Sequence, residues 1–385
     1  MNKIFLVPWL IILLFVITGC PHYRLQIPSI HHDEHGWKMY GGCIERNNYS
    51  HESIIPPLDS LWEYDSEAGF SHSPAVASGN FLFVGNLRGE IHAVNIGTGR
   101  KAGVYHFGSS VIGTPCIDGD TVYVAVANDE DGLTAYNLTT GKIQWQAPIG
   151  DIETCPLLLD NKILITTLNG KLICLNKSTG GIIWTNEITS ERKTKFIHSS
   201  PASDGNVIVF GTDGGILYAV DVKGGQLRWS TKTNSCIVAS PAISNGRIFV
   251  GSTDSLLHAF DISNGKQFWS RNLHGKIYSS QAIDENHIYA TIIGREVYCL
   301  NSEDGSLLWK TNVGGIVNST PLLSGNILYI GTLNKTILAL DAVSGSILWK
   351  LEMGGRIKSM PVVFKKRLFV FTEDRSVVCF GESKR

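Results

Sequence analysis

The chain has no surplus of charge: 33 Lys and Arg face 34 Asp and Glu over 385 residues, a formal net charge of −1 with a pI near 6.9. A nucleic-acid binder needs a basic stripe to neutralise phosphates, so this balance gives no electrostatic case for that class of partner. Long apolar runs are scarce too. The one of note lies in MNKIFLVPWLIILLFVITGC, follows a single Lys and ends at Ile17, the length of a signal-peptide core and short for a membrane span. Helical periodicity is missing; apolar residues alternate in short stretches separated by turns rich in the chain's 40 Gly. At 43% hydrophobic and 17% charged residues this is the composition of a turn-rich globular β-protein, which excludes a disordered chain.

What is present is a repeat. In AFDISNGKQFW, Ala259 is followed by Asp261, Gly265 and Trp269, and the same frame returns at Ala339-Asp341-Gly345-Trp349 and Ala219-Asp221-Gly225-Trp229. With Asn for Asp or Cys for Ala it recurs at Cys299-Asn301-Gly305-Trp309, Cys174-Asn176-Gly180-Trp184 and Ala135-Asn137-Gly141-Trp145. Ala93-Asn95-Gly99 opens another copy with Gly103 in the Trp position, and Cys379 opens a last one. The alternation before Asp/Asn predicts one β-strand and the run ending in Trp predicts the next. Asp or Asn followed by Gly is turn chemistry: the short side chain accepts from backbone N–H groups ahead of it, and Gly supplies a positive φ. The Trp offers a large apolar face, best buried against the neighbouring unit.

A second marker is a Pro opening a strand, at Pro74, Pro115, Pro156, Pro201, Pro241, Pro321 and Pro361, with Gln281 in its place once. Successive steps of 41, 41, 45, 40, 40, 40 and 40 residues make eight units. Each unit reads as four short antiparallel strands, in the best case PAI, RIFVGS, LLHAF and KQFW, joined by Asx-Gly turns. Four such strands at a period near 40 predict an all-β, eight-bladed β-propeller. The last unit has three strands and no fourth, whereas SLWEYD stands unclaimed at the other end. Trp62 precedes Pro74 by 12 residues, the same step as from Trp229, Trp309 and Trp349 to the next Pro. Trp62 is therefore expected on the outer strand of blade 8, closing the ring and removing an open sheet edge.

Outside the repeat, the apolar run ends Ile17-Thr18-Gly19-Cys20, which resembles the bacterial lipobox and implies lipidation at Cys20. The organisation expected is a lipoprotein signal peptide over 1–19, a lipid-anchored tether over 20–57 and the propeller over 58–385. By resemblance to the enteric sorting rule, Pro21 after the Cys implies the outer membrane, facing the periplasm. The HHDEH stretch, His31 to His35, reads as a solvated linker patch, since nothing around it fixes the geometry a metal needs. Seven Cys remain after Cys20, an odd number. Cys174, Cys299 and Cys379 take the small-residue position of the frame, and Cys116 and Cys155 flank strand-opening Pro residues, so these are expected as small core side chains. A bridge involving Cys43 or Cys236 is left open.

Two units depart from the pattern. Blade 2 has an acidic turn at Asn128 to Asp131, and the step from Trp184 to Pro201 is 17 residues instead of 12. The extra residues fall in TNEITSERKTKFIHSS, which singles out Arg192, Lys193, Lys195 and Phe196 as a candidate partner-binding loop, the alternative being a solvated loop. The structural docking residues are Trp62, Trp145, Trp184, Trp229, Trp269, Trp309 and Trp349.

The frame resembles the tryptophan-docking repeat of the pyrroloquinoline quinone (PQQ) propeller superfamily over residues 60–382. Trp37-x-x-Tyr40-Gly41, Arg46, Tyr49-Ser50 and Leu61-Trp62 are similar to the segment leading into the propeller of its dehydrogenases. One implication of the resemblance is an enzyme: quinone in the central channel, held by Ca²⁺, stacked on a Trp, with an Asp as base. Such enzymes have long insertions and many have a disulfide between adjacent Cys. This sequence has minimal blades, no Cys-Cys pair, and turn Asp residues with a structural job already. The lipobox, eight short blades, N-terminal closing strand and longer connection before blade 4 are instead similar to the BamB family of lipoproteins, whose members serve the outer-membrane β-barrel assembly machinery. That family's contact loop uses Leu and Arg where this chain has KTKFIHSSP. The expectation is a monomeric, non-enzymatic, lipid-anchored scaffold with a protein partner, plausibly of that machinery, and no cofactor or metal; a PQQ-dependent dehydrogenase-like or small-ligand-binding propeller is the alternative.

Overall fold

A computed structural model describes residues 24–27, 36–71, 75–127, 132–188 and 196–383. The repeat frame folds as its residue types require. In blade 5, Ala242–Ser244, Arg247–Gly251, Leu256–Asp261 and Gln267–Asn272 form a four-stranded antiparallel sheet. The Asp261 carboxylate accepts from the Ser263 N–H at 2.8 Å, and Gly265 takes φ 72°. The middle strands are buried on both faces, whereas the outer strand is exposed except for the half-buried Trp269. Eight such sheets stand side by side, innermost strand to innermost strand.

Closure follows the Trp spacing. Leu58–Asp65 pairs antiparallel with Ser376–Glu382, with Trp62 opposite Cys379, so the fourth strand of blade 8 comes from the N-terminal side of the chain. Each frame Trp reaches over the Gly of the next blade. A Cβ on Gly345, where φ is 71°, would sit 2.5 Å from the Trp309 ring, a distance no real Cβ adopts. The Trp309 indole N–H then donates to Ala342 O at 3.0 Å, and Trp62, Trp145, Trp229 and Trp269 make the equivalent bond. Two positions depart. Trp184 overlies Gly225 with its indole N–H unpaired, and Trp349 meets the Phe380 ring edge-on, because blade 8 is built from two chain ends and has no frame turn to stack upon.

The segment expected as a tether over 20–57 is, where described, part of the ring. From Trp37 to Ser50 it circles the axis, handing a backbone carbonyl to the innermost strands of blades 1, 2, 4, 5, 6 and 7 in turn. Ala77 donates to Trp37 O, Ile117 to Lys38 O, Ser203 to Ile44 O, Ile243 to Glu45 O, Ile283 to Asn47 O and Leu323 to Asn48 O. Blade 3 is served by the buried Arg46 guanidinium, which donates to Cys155 O at 3.0 Å and Pro156 O at 3.1 Å, and also to Pro201 O of blade 4 and Tyr40 O. Tyr49–Ser50 then adds a short parallel strand inside blade 7. The segment lacks a strand signature because, before Tyr49–Ser50, its backbone gives a blade at most one bond and does not run along a partner. It covers the channel at the end of the ring where the first two strands of each blade turn.

A second described piece, residues 24–27, packs where the repeat is defective. Blade 1 has Gly103 at the Trp position, so no indole reaches Gly141 of blade 2. Residues 24–27 fill that place: the side chains of Arg24 and Gln26 lie over Gly141, while Leu25 and Ile27 are buried beside them, with Leu25 N–H on Val104 O at 2.9 Å and Ile27 N–H on Leu138 O at 2.7 Å. A Cβ on Gly103 would lie 2.8 Å from Leu25 Cα. The missing Trp and the docked N-terminal segment are two halves of one substitution.

Candidate partner-binding face

At the end of the ring opposite the Trp37–Ser50 segment, the channel opens as a funnel of about 440 Å³ with Tyr40 near its floor. The repeat register builds the wall. Residues three before seven of the eight strand-opening positions form the mouth: Ser71, Ile112, Glu153, His198, Val238, Tyr278 and Asn318. One geometric position thus carries chemically different residues from blade to blade.

Below the mouth, the residues just before the strand-opening positions form a belt of small polar side chains. The Thr114 N–H donates to Cys155 Sγ at 3.1 Å, the Cys155 N–H to Ser200 Oγ at 2.9 Å and the Ser200 N–H to Ser240 Oγ at 3.0 Å. The residues preceding these bond outward within the wall, with Ser199 Oγ donating to Ala239 O and Ser319 Oγ to Gly331 O. The Ser/Thr-Pro marker read as a strand opening is therefore also the inter-blade clasp, and these hydroxyls are committed to holding blades together.

The carboxylate and the imidazole of the mouth are Glu153 and His198. The Nδ1 of His198 lies 2.9 Å from Asp213 Oδ2, and its Nε2 is 3.6 Å from Glu153 Oε2 across the boundary between blades 3 and 4. The Asp213 hydrogen bond raises the imidazole pKa above its usual value, and burial works against this shift. Beside it stands Phe196, its ring centroid 6.5 Å from that of His198 and its side chain 51% exposed. Tyr278, Ile293 and Ile316 are further exposed apolar residues around the mouth, Tyr278 from the connection between blades 5 and 6 and the other two from blade 6. Of the loop singled out by spacing, Phe196 is on this face; Arg192, Lys193 and Lys195 lie outside the described residues, as do Cys20, His31 to His35 and Asn128 to Asp131. The mouth ring was missed in the sequence, although its signal was there: a fixed offset from the Pro marker with residue type changing at every unit.

The funnel does not fit a quinone cofactor of the kind the dehydrogenase resemblance implies. Among the described residues no Trp lines it, because the frame Trps stand between the outer strands, and the one lining carboxylate among them, Glu153, faces His198. Asp213 is held by the same imidazole, and no group of three His, Cys, Asp or Glu among the described residues is disposed to hold a metal ion. The seven cysteines among the described residues, Cys43 and Cys236 included, are all unbridged, and burial pushes the Cys43 thiol up to about 11.

The repeat frame, the eight sheets and the N-terminal closing strand define a propeller of the PQQ-like class. The family model described as "Outer membrane protein assembly factor BamB" matches residues 59–154, 191–280, 254–329 and 296–383, and the chain belongs to that family. It is similar to the outer membrane protein assembly factor BamB of Yersinia pestis, 24% identical over 50% of this chain and 55% of the relative, so the match spans about half of that relative's length. Among solved structures, BamB from Moraxella catarrhalis superposes with a TM-score of 0.71 at 16% identity, over 84% of this chain and 99% of that one. The quinohemoprotein alcohol dehydrogenase of Comamonas testosteroni has a TM-score of 0.77 at 14% identity, over 91% of this chain and 81% of that one. At these identities the structural likenesses bear on the fold alone.

Proposed function

We propose that the protein is a non-enzymatic, lipid-anchored scaffold that faces the periplasm from the outer membrane and binds a protein partner in the assembly of outer-membrane β-barrel proteins. The observation that carries this reading is the division of labour at the funnel. Its hydroxyls and its acid–imidazole cluster are engaged within the wall and with Tyr40, while Phe196, Tyr278, Ile293 and Ile316 present exposed apolar surface around it. Apolar and aromatic side chains on a rigid rim are what a protein interface uses as anchors. Family membership supports the choice of partner, and the ITGC end of the apolar run supports the lipid anchor at Cys20.

The test is co-purification from detergent-solubilised membranes, with partners identified by mass spectrometry. Replacing Phe196 and Tyr278 by Ala is expected to leave thermal unfolding within about 1 °C and to reduce recovery of a barrel-assembly protein at least several-fold. Undiminished recovery would remove this face from the interface. The dehydrogenase reading, which the Comamonas fold likeness keeps in view, forecasts that protein incubated with PQQ and Ca²⁺ reduces an artificial electron acceptor with an alcohol or aldose. Dye reduction above background would overturn the scaffold reading.

A further inference from the structure

The N-terminal piece in the vacant Trp position bears on how the ring stands relative to the membrane, an inference that rests on the lipid anchor proposed above. Arg24 is only four residues from Cys20, and a fully extended chain spans at most about 3.6 Å per residue, so its Cα lies within about 14 Å of the acylated residue. Arg24 is not free to move away from the ring. Its guanidinium donates to Gly141 O, it bridges Val104, and the next residues are fixed by the Leu25 and Ile27 backbone bonds, by Gln26 Nε2 on Thr139 O at 3.1 Å and by Tyr136 Oη on Leu25 O at 2.7 Å. We propose that residues 24–27 are a staple that holds the outer edge of blades 1 and 2 against the lipid surface, so that the propeller stands on that edge instead of swinging on a long tether.

Charge at the two sides of the ring fits this orientation. The turns beside the staple expose Arg100 and Lys142 in addition to Arg24, whereas the corresponding turn of blade 6, four blades away, carries Glu303, ion-paired with Arg247, and Asp304. Cations near an anionic leaflet are drawn to it and carboxylates are repelled. Because residues 24–27 come before Trp37–Ser50 in the sequence, only the four residues from Cys20 to Arg24 set the reach of the anchor.

The experiment uses the full lipidated protein in vesicles containing phospholipid with a nitroxide headgroup. A fluorophore is placed at Lys142→Cys or at Ser306→Cys, equivalent frame positions on opposite sides of the ring, in a Cys43→Ser, Cys236→Ser background. Quenching is expected to be several-fold stronger at position 142 than at 306. The ratio should fall toward one in Leu25→Asp, which releases the staple. It should also fall when a Gly/Ser spacer of about 20 residues, with an r.m.s. span of about 25 Å, is inserted between Cys20 and Pro21 and leaves every contact of the ring in place. Equal quenching at the two sites in the otherwise natural sequence, or a ratio that neither change moves, overturns the proposal. Fatty-acid labelling of the same preparations reads the anchor separately: unlabelled protein refutes the lipoprotein reading, and the orientation proposal falls with it, whereas labelled protein with equal quenching refutes the staple alone.

Discussion

Trp309 and Gly345 each set the other's identity. The indole lies on a backbone with no Cβ to obstruct it, and its N–H is fixed by Ala342 O. Trp309→Ala should cost about 3 kcal/mol in denaturant unfolding, the lower end of the range for buried large aromatics, because the ring keeps one partly exposed side. Gly345→Ala should be destabilising for a different reason: it combines strain at φ 71° with collision against the ring. A loss under about 0.5 kcal/mol for either would show that the stack is ornamental. His198 makes a pH-dependent prediction. Its folded pKa is raised chiefly by the Asp213 bond, so the stabilisation is fully present below the unfolded value of about 6.5 and is lost as pH rises through the folded value. The side chain is about a third exposed, so the effect is small. Melting temperature followed from pH 5 to 9 should fall across that window in the natural protein, and His198→Gln should flatten the curve there.

The Trp37–Ser50 segment depends on one side chain where its backbone passes a blade by. Arg46 is fully buried and donates to carbonyls of blades 3 and 4 as well as to its own segment. Arg46→Met keeps much of the volume and removes all of these charge-assisted bonds, leaving buried carbonyls without donors. A cost of at least about 3 kcal/mol is expected in chemical denaturation. Hydrogen exchange should then quicken at the strand openings of blades 3 and 4 ahead of blades 6 and 7, which the backbone of the segment serves directly. Uniform protection would show that the carbonyls find other partners. The staple is a smaller element of the same kind, and deleting residues 21–35 should lower the melting temperature measurably, since Leu25 and Ile27 lose buried positions worth roughly 1.5–3 kcal/mol each.

A ring stores its stability in closure. Blade 8 takes its outer strand from Leu58–Asp65 and its other three from the last residues of the chain, so the first and last propeller strands hold each other. Deleting residues 58–66 should expose the edge of Ser376–Glu382 and release Trp62 from its place over Gly99, costing far more than the loss of 21–35 and promoting self-association visible by gel filtration. Similar melting temperatures for the two deletions would contradict the closure assignment. Attachment to the membrane is separable from all of this: Cys20→Ser should abolish fatty-acid labelling while the purified ring melts as before.

Strand alternation, Asx-Gly turns, the Trp frame and the Pro marker are local or evenly spaced features, so the eight blades, their four strands and the closure through Trp62 were all legible in one dimension. The spacing also located Phe196, because an insertion in a strict repeat is visible without coordinates. The segments before residue 58 were not legible, since Arg46 and Leu25 act chiefly on partners more than 75 residues away and a chain that gives most blades a single backbone bond leaves no period behind. Gly103 stood out in the sequence as a missing Trp, yet only the folded ring shows that Leu25 occupies the space it leaves. The funnel mouth is the same case, for a fixed offset from Pro becomes a surface only when eight units are bent into a circle and their third residues before the marker turn to face one axis.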